Sequence, residues 1–289
     1  MGQAATKAQE ARAQARSKPK TGRSVQQQKI KTARATGVLA LPDSKLKAVP
    51  SEVATLPKLT TLDLSRNRLV DLPQELNALT ALKTLKVPGN ALTSLPDLSG
   101  LVSLTTVRLP AYLLACLLVL DGNAIEALPQ SLPPNLTKLS LRGNKLSQIP
   151  ASVLALPQLQ ELDVAENQIS TLPASISSLA ELQDLNADGN RLDELPVTLA
   201  ACAKLKVLSL RANRLTGKST GRTAEDQAIP VEILRDSAVH VMNLEGNPMT
   251  KADLTAMDGF DEFLHRRTLL KHKEIHGGLN ADLSVCGLD

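Results

Sequence analysis

The feature that most limits what this chain can become is a phrase that it repeats. Residues 59–82 read LTTLDLSRNRLVDLPQELNALTAL, a Leu-x-x-Leu-x-Leu-x-x-Asn-x-Leu-x-x-Leu-Pro stretch followed by further leucines. The same grammar returns at Leu82, Leu136, Leu159, Leu182 and Leu205. Asparagines mark it at Asn67, Asn90, Asn123, Asn144, Asn167, Asn190, Asn213 and Asn247, in steps of 23, 33, 21, 23, 23, 23 and 34. One such unit is too short to bury its own leucines, whereas a stack of copies buries them against each other.

The spacing has a physical reading. In Leu-x-Leu, as at Leu62 and Leu64 or Leu139 and Leu141, alternate side chains of a short strand point to one side. The leucines enter a core and the residues between them face out. Each marker asparagine follows where the chain leaves the strand, and its amide can both donate to and accept from backbone groups there. Stacked copies predict an asparagine ladder. The Leu-Pro pairs (Leu72-Pro73, Leu95-Pro96, Leu172-Pro173, Leu195-Pro196) fix φ and remove a donor, which suits a return path needing no ladder bond. This is the signature of leucine-rich repeats. It predicts an α/β solenoid, a curved horseshoe with a parallel concave sheet, short convex turns and a C-terminal capping helix. The repeats span 36–250, with a degenerate first copy at Val38-Leu39-Ala40-Leu41 acting as the N-terminal cap.

The stretch before the repeats has its own character. Met1-Gly2-Gln3-Ala4-Ala5-Thr6 fits the N-myristoylation pattern M-G-x-x-x-[ST], which makes Gly2 a candidate lipidation site. Between Gly2 and Ala35 stand nine basic residues and a single acid, Glu10, so this leader is the source of the basic pI of about 9.0. One acyl chain gives marginal membrane binding, and a polybasic stretch supplies a second signal. Residues 1–35 therefore read as a disordered basic tail making peripheral membrane contact. A plain solubilising leader and a mitochondrial transit peptide are the other readings. The tail has no aromatic residue for base stacking, so nucleic acid is not expected as a partner. Cys116, Cys202 and Cys286 are scattered and odd in number, with no cysteine-rich cap and no signal peptide. The expected setting is reducing, cytoplasmic and peripheral on a membrane, with ciliary or mitochondrial placement as the alternative.

The residues flanking the strand leucines predict a partner-binding concave face: Asp63, Arg66, Lys86, Arg108, Lys138, Arg142, Glu161, Asp163, Glu166, Asp184, Asn186, Asp188 and Arg211. The early ones are mostly basic, and those in the repeats at 159 and 182 are acidic. Exposed positions must be polar in any case, so the bland reading is a solvated face.

Two steps break the period. The run 110–120 lengthens one repeat, and two strand registers compete there, Val107-Arg108-Leu109 and Leu118-Val119-Leu120. The run is far short of the roughly 20 apolar residues a membrane span needs. A polar insertion occupies 216–227. Its Gly217-Lys218-Ser219 resembles the end of a phosphate loop, but Ala212 stands where the first glycine is required, so nucleotide binding is not expected. Beyond it, Leu254, Met257, Phe260, Phe263 and Leu264 recur at helical spacing and predict a cap helix over 251–277 that covers the open end of the core. Residues 278–289 read as a disordered tail.

The two ends carry a resemblance. Thr36-Gly37-Val38 opening the cap, Glu245-Gly246-Asn247 ending the repeats, Gly259-Phe260-Asp261-Glu262-Phe263 and the glycine after Met1 are similar to the family of leucine-rich repeat-containing protein 57. The repeats themselves also resemble Ras-group leucine-rich scaffolds and phosphatase-regulating relatives. The resemblance implies an intracellular, lipidated binding protein without chemistry of its own. The function expected is a protein-interaction scaffold, monomeric alone, that holds a protein partner on its concave face. The alternatives are a regulatory subunit of a phosphatase or small-GTPase pathway and a structural component of a ciliary or mitochondrial assembly. No catalytic set stands out. His240, His265, His272 and His276 cluster late in the chain without a completing metal set, and Cys202 falls at a small apolar position, so no metal, cofactor or small-molecule substrate is expected.

Overall fold

The computed structural model of the protein describes residues 22–101, 117–217, 227–275 and 286–288. Nine three-residue strands follow from the Leu-x-Leu pattern. They are β1 (Val38–Ala40), β2 (Thr61–Asp63), β3 (Thr84–Lys86), β4 (Leu117–Val119), β5 (Lys138–Ser140), β6 (Glu161–Asp163), β7 (Asp184–Asn186), β8 (Val207–Ser209) and β9 (Val241–Asn243). They form one sheet, pair in parallel, and lie side by side in strict chain order. In each strand the middle residue points into the core while its neighbours face outward, so Leu62, Leu85, Leu118, Leu139, Leu162, Leu185 and Leu208 stack in one row. The leucine-rich repeat solenoid expected from the repeat is the fold the chain adopts.

The contested register is resolved in favour of the second candidate. Leu117–Val119 is the strand, with Leu118 between Leu85 and Leu139. The reason lies in the turn that follows. Asn123 donates to the Leu120 carbonyl at 2.7 Å and accepts from the Leu92 N–H at 3.1 Å, so the strand must end immediately before it. Val107 and Arg108 lie outside the described residues, as does most of the run 110–120.

Each asparagine makes the same bonds. Asn167 is typical: its amide donates to the carbonyls of Leu141, Val164 and Ala165 at 2.9–3.0 Å, and its oxygen accepts from the Leu146 N–H at 3.0 Å. One side chain thus serves the exit of its own strand and the turn of the preceding repeat. Prolines after an aliphatic residue start the return, although among the described residues no helical turn directly follows Leu95-Pro96. Pro50, Pro73, Pro150, Pro173, Pro196 and Pro230 each stand directly before a short helical turn, and each carbonyl accepts from the N–H three residues on. These turns are mostly 3-10, with true helix at α2 (Ala151–Leu154) and α3 (Val231–Arg235).

The ends differ from the expectation in three places. The basic leader is not a disordered tail up to residue 35: Gly22–Thr36 is a helix, α1, which buries Ile30 and Ala33 against β1. Lys29 ties it down by donating from Nζ to the Ala40 carbonyl at 3.0 Å. A basic, polar composition hides these two apolar contacts, their three-residue helical spacing notwithstanding. At the other end the cap is two helices, α4 (Lys251–Thr255) and α5 (Phe260–Ile275). Thr250 and Asp253 form a reciprocal capping box at the start of α4. Gly259 separates the two helices at φ +82°, and a Cβ there would sit 3.1 Å from the Arg235 backbone nitrogen, so α5 approaches α3 through a residue without a side chain. Leu254, Met257, Phe260 and Phe263 are buried, but Leu264 is 38% exposed and stands outside the plug. Finally, residues 286–288 do not belong to a loose tail: Cys286 is buried and Leu288 packs against the core.

The half-buried guanidinium of Arg266 locks α5 in place. It donates to the carbonyls of Leu234 at 2.5 Å, Arg235 at 2.8 Å and Val239 at 3.2 Å, satisfying the end of α3. For the ladder, replacing Asn167 by Ala strands the Leu146 N–H in a buried place, while the carbonyls of Leu141, Val164 and Ala165 each lose one of two donors and keep Asn144, Asn190 and the Gly143 N–H. The Asn167→Ala variant should lose about 2 kcal/mol of unfolding free energy, read as a lower urea midpoint with an unchanged slope.

Candidate partner-binding face

Strand geometry decides which of the candidate residues share a surface. The first and third residues of every strand face outward, which places Asp63, Lys86, Lys138, Glu161, Asp163, Asp184 and Asn186 on the concave side of the sheet. Register then sets their neighbours: Lys138 faces Glu161, Glu161 faces Asp184, and Asp163 faces Asn186. Lys138 and Glu161 form an ion pair. Three carboxylates on two adjacent strands therefore meet one lysine.

A depression of about 430 Å³ lies over these strands, lined by Lys138, Glu161, Asp163 and Asp184, with Leu117 and Val207 among its apolar walls. The flanking aliphatics were not among the residues singled out in the sequence. They occupy the same outward columns as the charged ones, and the alternation rule that selected Glu161 selects Leu117 and Val207 as well.

Burial acts on the acids. It raises the Asp163 carboxyl above the usual carboxylate range, only partly offset by the hydrogen bond accepted from the Ala165 N–H. Burial also raises Asp184, and the like charge of Glu161 on the next strand adds to it. Lys138, Lys206 and His240 pull in the other direction.

The remaining candidates stand on the rim, where the chain turns after each strand. Arg66 and Glu166 occupy the place just before the marker asparagine, at φ 51° and 55°, a position that five other repeats give to glycine. Their side chains reach across to a neighbouring repeat: Arg66 pairs with Asp43 at 2.7 Å and Arg142 with Glu166 at 2.5 Å. Asp188 accepts from the Arg211 N–H at 2.7 Å, and the Arg211 side chain lies 3.8 Å from Glu245. These rim pairs are exposed and add little to stability. Gly2 and Arg108 lie outside the described residues, as do Lys218 and Ser219.

The chemistry elsewhere is quiet. Among the described residues no group of three or more His, Cys, Asp and Glu is arranged to hold a metal ion. The Cys202 thiol is fully buried and donates to the Ile176 carbonyl at 3.6 Å. Burial pushes its pKa up to about 11, so it sits in the core as a neutral group.

Asp184 offers a direct test of the electrostatics. Its raised pKa means that the fold disfavours its charged form at neutral pH, and that this penalty is relieved as pH falls through the folded-state value. Glu161→Gln removes a like charge and frees Lys138, so the Asp184 carboxyl should titrate at lower pH in the variant, followed by carbon-detected NMR of the side chain. An unchanged or higher value would contradict the geometry.

Comparison with known proteins agrees with the repeat and the fold. The family described as "Leucine rich repeat" matches residues 38–92, 57–111 and 134–192. A leucine-rich repeat protein of Leptospira interrogans is 30% identical at a TM-score of 0.59, over 79% of this chain and 58% of that one. The leucine-rich repeat ectodomain of the Arabidopsis thaliana receptor kinase GASSHO1/SCHENGEN3, solved in complex with CASPARIAN STRIP INTEGRITY FACTOR 2, is 28% identical at a TM-score of 0.55. That match covers 75% of this chain and 25% of the receptor chain. Internalin C2 of Listeria monocytogenes shares the fold at 20% identity and a TM-score of 0.57, over 78% and 93% of the two chains. The chain thus spans less than two thirds of the first two structures it matches. No curated protein matches it. By the repeat it carries and the sheet that repeat builds, the chain is a leucine-rich repeat protein.

Proposed function

We propose that this protein is a non-enzymatic scaffold that holds a protein partner on the concave face of β5 to β8. Leucine-rich repeat folds generally serve as binding scaffolds, and their concave sheets are the surfaces used. The observation that carries the reading is the excess of carboxylates over lysine in the depression at Glu161, Asp163 and Asp184. A partner placing cationic side chains there stabilises the charged form of acids that burial disfavours. Aliphatic walls at Leu117 and Val207 add apolar contact. The Arabidopsis receptor shows that a related solenoid is found in complex with another molecule.

The test is capture from cell extract by the full chain. Reversing charge at Glu161→Lys, Asp163→Lys and Asp184→Lys together should cut recovery of the main cross-linked partner by at least about tenfold. Asp163 also accepts from the Ala165 N–H, so the Glu161→Lys, Asp184→Lys double variant, which keeps that bond, is the control: it should lose the partner likewise, with circular dichroism and melting close to wild type. A partner retained at full strength by the triple variant would overturn the reading. The identity of the lost partner separates the two narrower roles: a phosphatase or small GTPase marks a regulatory subunit, and a stoichiometric ciliary or mitochondrial assembly marks a structural component.

We further propose a tether at the cytoplasmic face of a membrane, through myristate on Gly2 and the basic leader, as the resemblance to the leucine-rich repeat-containing protein 57 family implies. The support is the M-G-x-x-x-[ST] match with its nine basic residues, of which Lys31 and Arg34 stand exposed on α1. Cells fed an alkyne myristate should label the wild-type chain and leave Gly2→Ala unlabelled and less membrane-associated. Absence of label on the wild type would end the proposal.

A further inference from the structure

One hydrogen bond recurs at every step along the solenoid. The N–H just after each strand donates to the carbonyl of the last strand residue in the next repeat, as Leu64 does to Lys86, Leu141 to Asp163 and Leu210 to Asn243, at 2.8–2.9 Å. Among the described residues β9 is the last strand. Its following N–H, on Leu244, still makes the bond: it donates to the carbonyl of Cys286 at 2.8 Å. Cys286 therefore stands where the strand of a tenth repeat would end.

The neighbouring residues fit that place. The Cys286 side chain is 2% exposed, and its sulfur accepts from Arg267 Nη1 of α5 at 3.7 Å. Gly287 follows at φ +73°, where a Cβ would stand 3.0 Å from the Cβ of Glu245. Leu288 then packs on the core. The opposite edge is closed very differently: α1, a helix of fifteen residues, packs on β1 and buries Ile30 and Ala33. Ordering a residue costs about as much as one hydrogen bond returns. Among the described residues this cover is one backbone bond, a buried thiol and one leucine, which is far less to remove than a helix.

We propose that the β9 edge is a second binding site, for a left-handed turn reading small apolar–glycine–aliphatic, and that Cys286–Leu288, with Cys286 at φ 59° and Gly287 at φ 73°, fills it in cis as an autoinhibitory strap. The Leu244 N–H sets the position of the turn, and burial of the small side chain and the aliphatic one supplies the contact. The close approach to Glu245 and the left-handed turn select glycine in the middle position. The site lies at the end of the sheet and does not rest on the concave-face reading.

The test uses the full chain, 15N-labelled, and Gly287→Val, which removes the fit at the turn and takes only Cys286 and Leu288 from the edge of the core. In wild type the Leu244 amide is protected from exchange; in Gly287→Val it should exchange at least about tenfold faster, with the other strand-end amides unchanged. A synthetic peptide spanning residues 284–289, at millimolar concentration, should then shift the Leu244 amide resonance in the variant and not in wild type. The same peptide with valine at the glycine position should do nothing. Equal Leu244 protection in wild type and Gly287→Val would overturn the strap, and failure of the native peptide to shift Leu244 in the variant would overturn the docking site.

Discussion

An amide side chain, buried or half-buried, after each strand from β2 to β9 is the constraint on which this solenoid rests. Three-residue strands leave the chain turning away from the sheet while it is still inside the protein, where unmatched N–H and carbonyl groups are costly. Asn67, Asn144, Asn167, Asn190 and Asn213 are all buried there, and each bonds both its own turn and the one before it. No other side chain of that size offers two donors and an acceptor in one plane. The leucine rows supply most of the burial, but leucines alone would tolerate sliding. The amide ladder fixes where each repeat begins relative to its neighbour.

That division of labour explains which parts of the fold could be read in advance. The strands, the turns and the convex return are local consequences of a periodic pattern, so Leu-x-Leu, asparagine and Leu-Pro announce them directly. The register at Leu117–Val119 was ambiguous because two Leu-like triplets satisfied the strand rule; the asparagine six residues after Leu117 broke the tie. The ends were harder. α1 docks through Ile30 and Ala33 within a stretch that composition alone marks as a solvated leader. Leu264 keeps helical spacing with the buried Phe260, yet α5 turns it outward because the packing of Gly259 against Arg235 sets the rotation of the helix. Cys286 meets β9 across a long stretch of sequence, and nothing local records such a contact.

The candidate face shows the same split. Alternation placed Glu161, Asp163 and Asp184 outward, and register put them side by side. Their electrostatic character came from depth and from each other, which a linear sequence expresses weakly. The rim residues Arg66, Arg142, Glu166 and Arg211 looked equivalent to them by spacing. The structure separates the two groups: rim charges find partners one repeat away in solvent, whereas the inner acids outnumber theirs inside a hollow.

Thirty-three residues separate Thr84 from Leu117, against the customary twenty-three between Thr61 and Thr84, yet both pairs meet in the same alignment. The sheet is therefore indifferent to how much chain lies between adjacent rungs, provided that the next triplet and its amide arrive intact. Such an architecture can accept grafted sequence at its joints without recalibrating the rest, so new appendages can be tried out on the rim of a horseshoe whose inner face goes on unaltered.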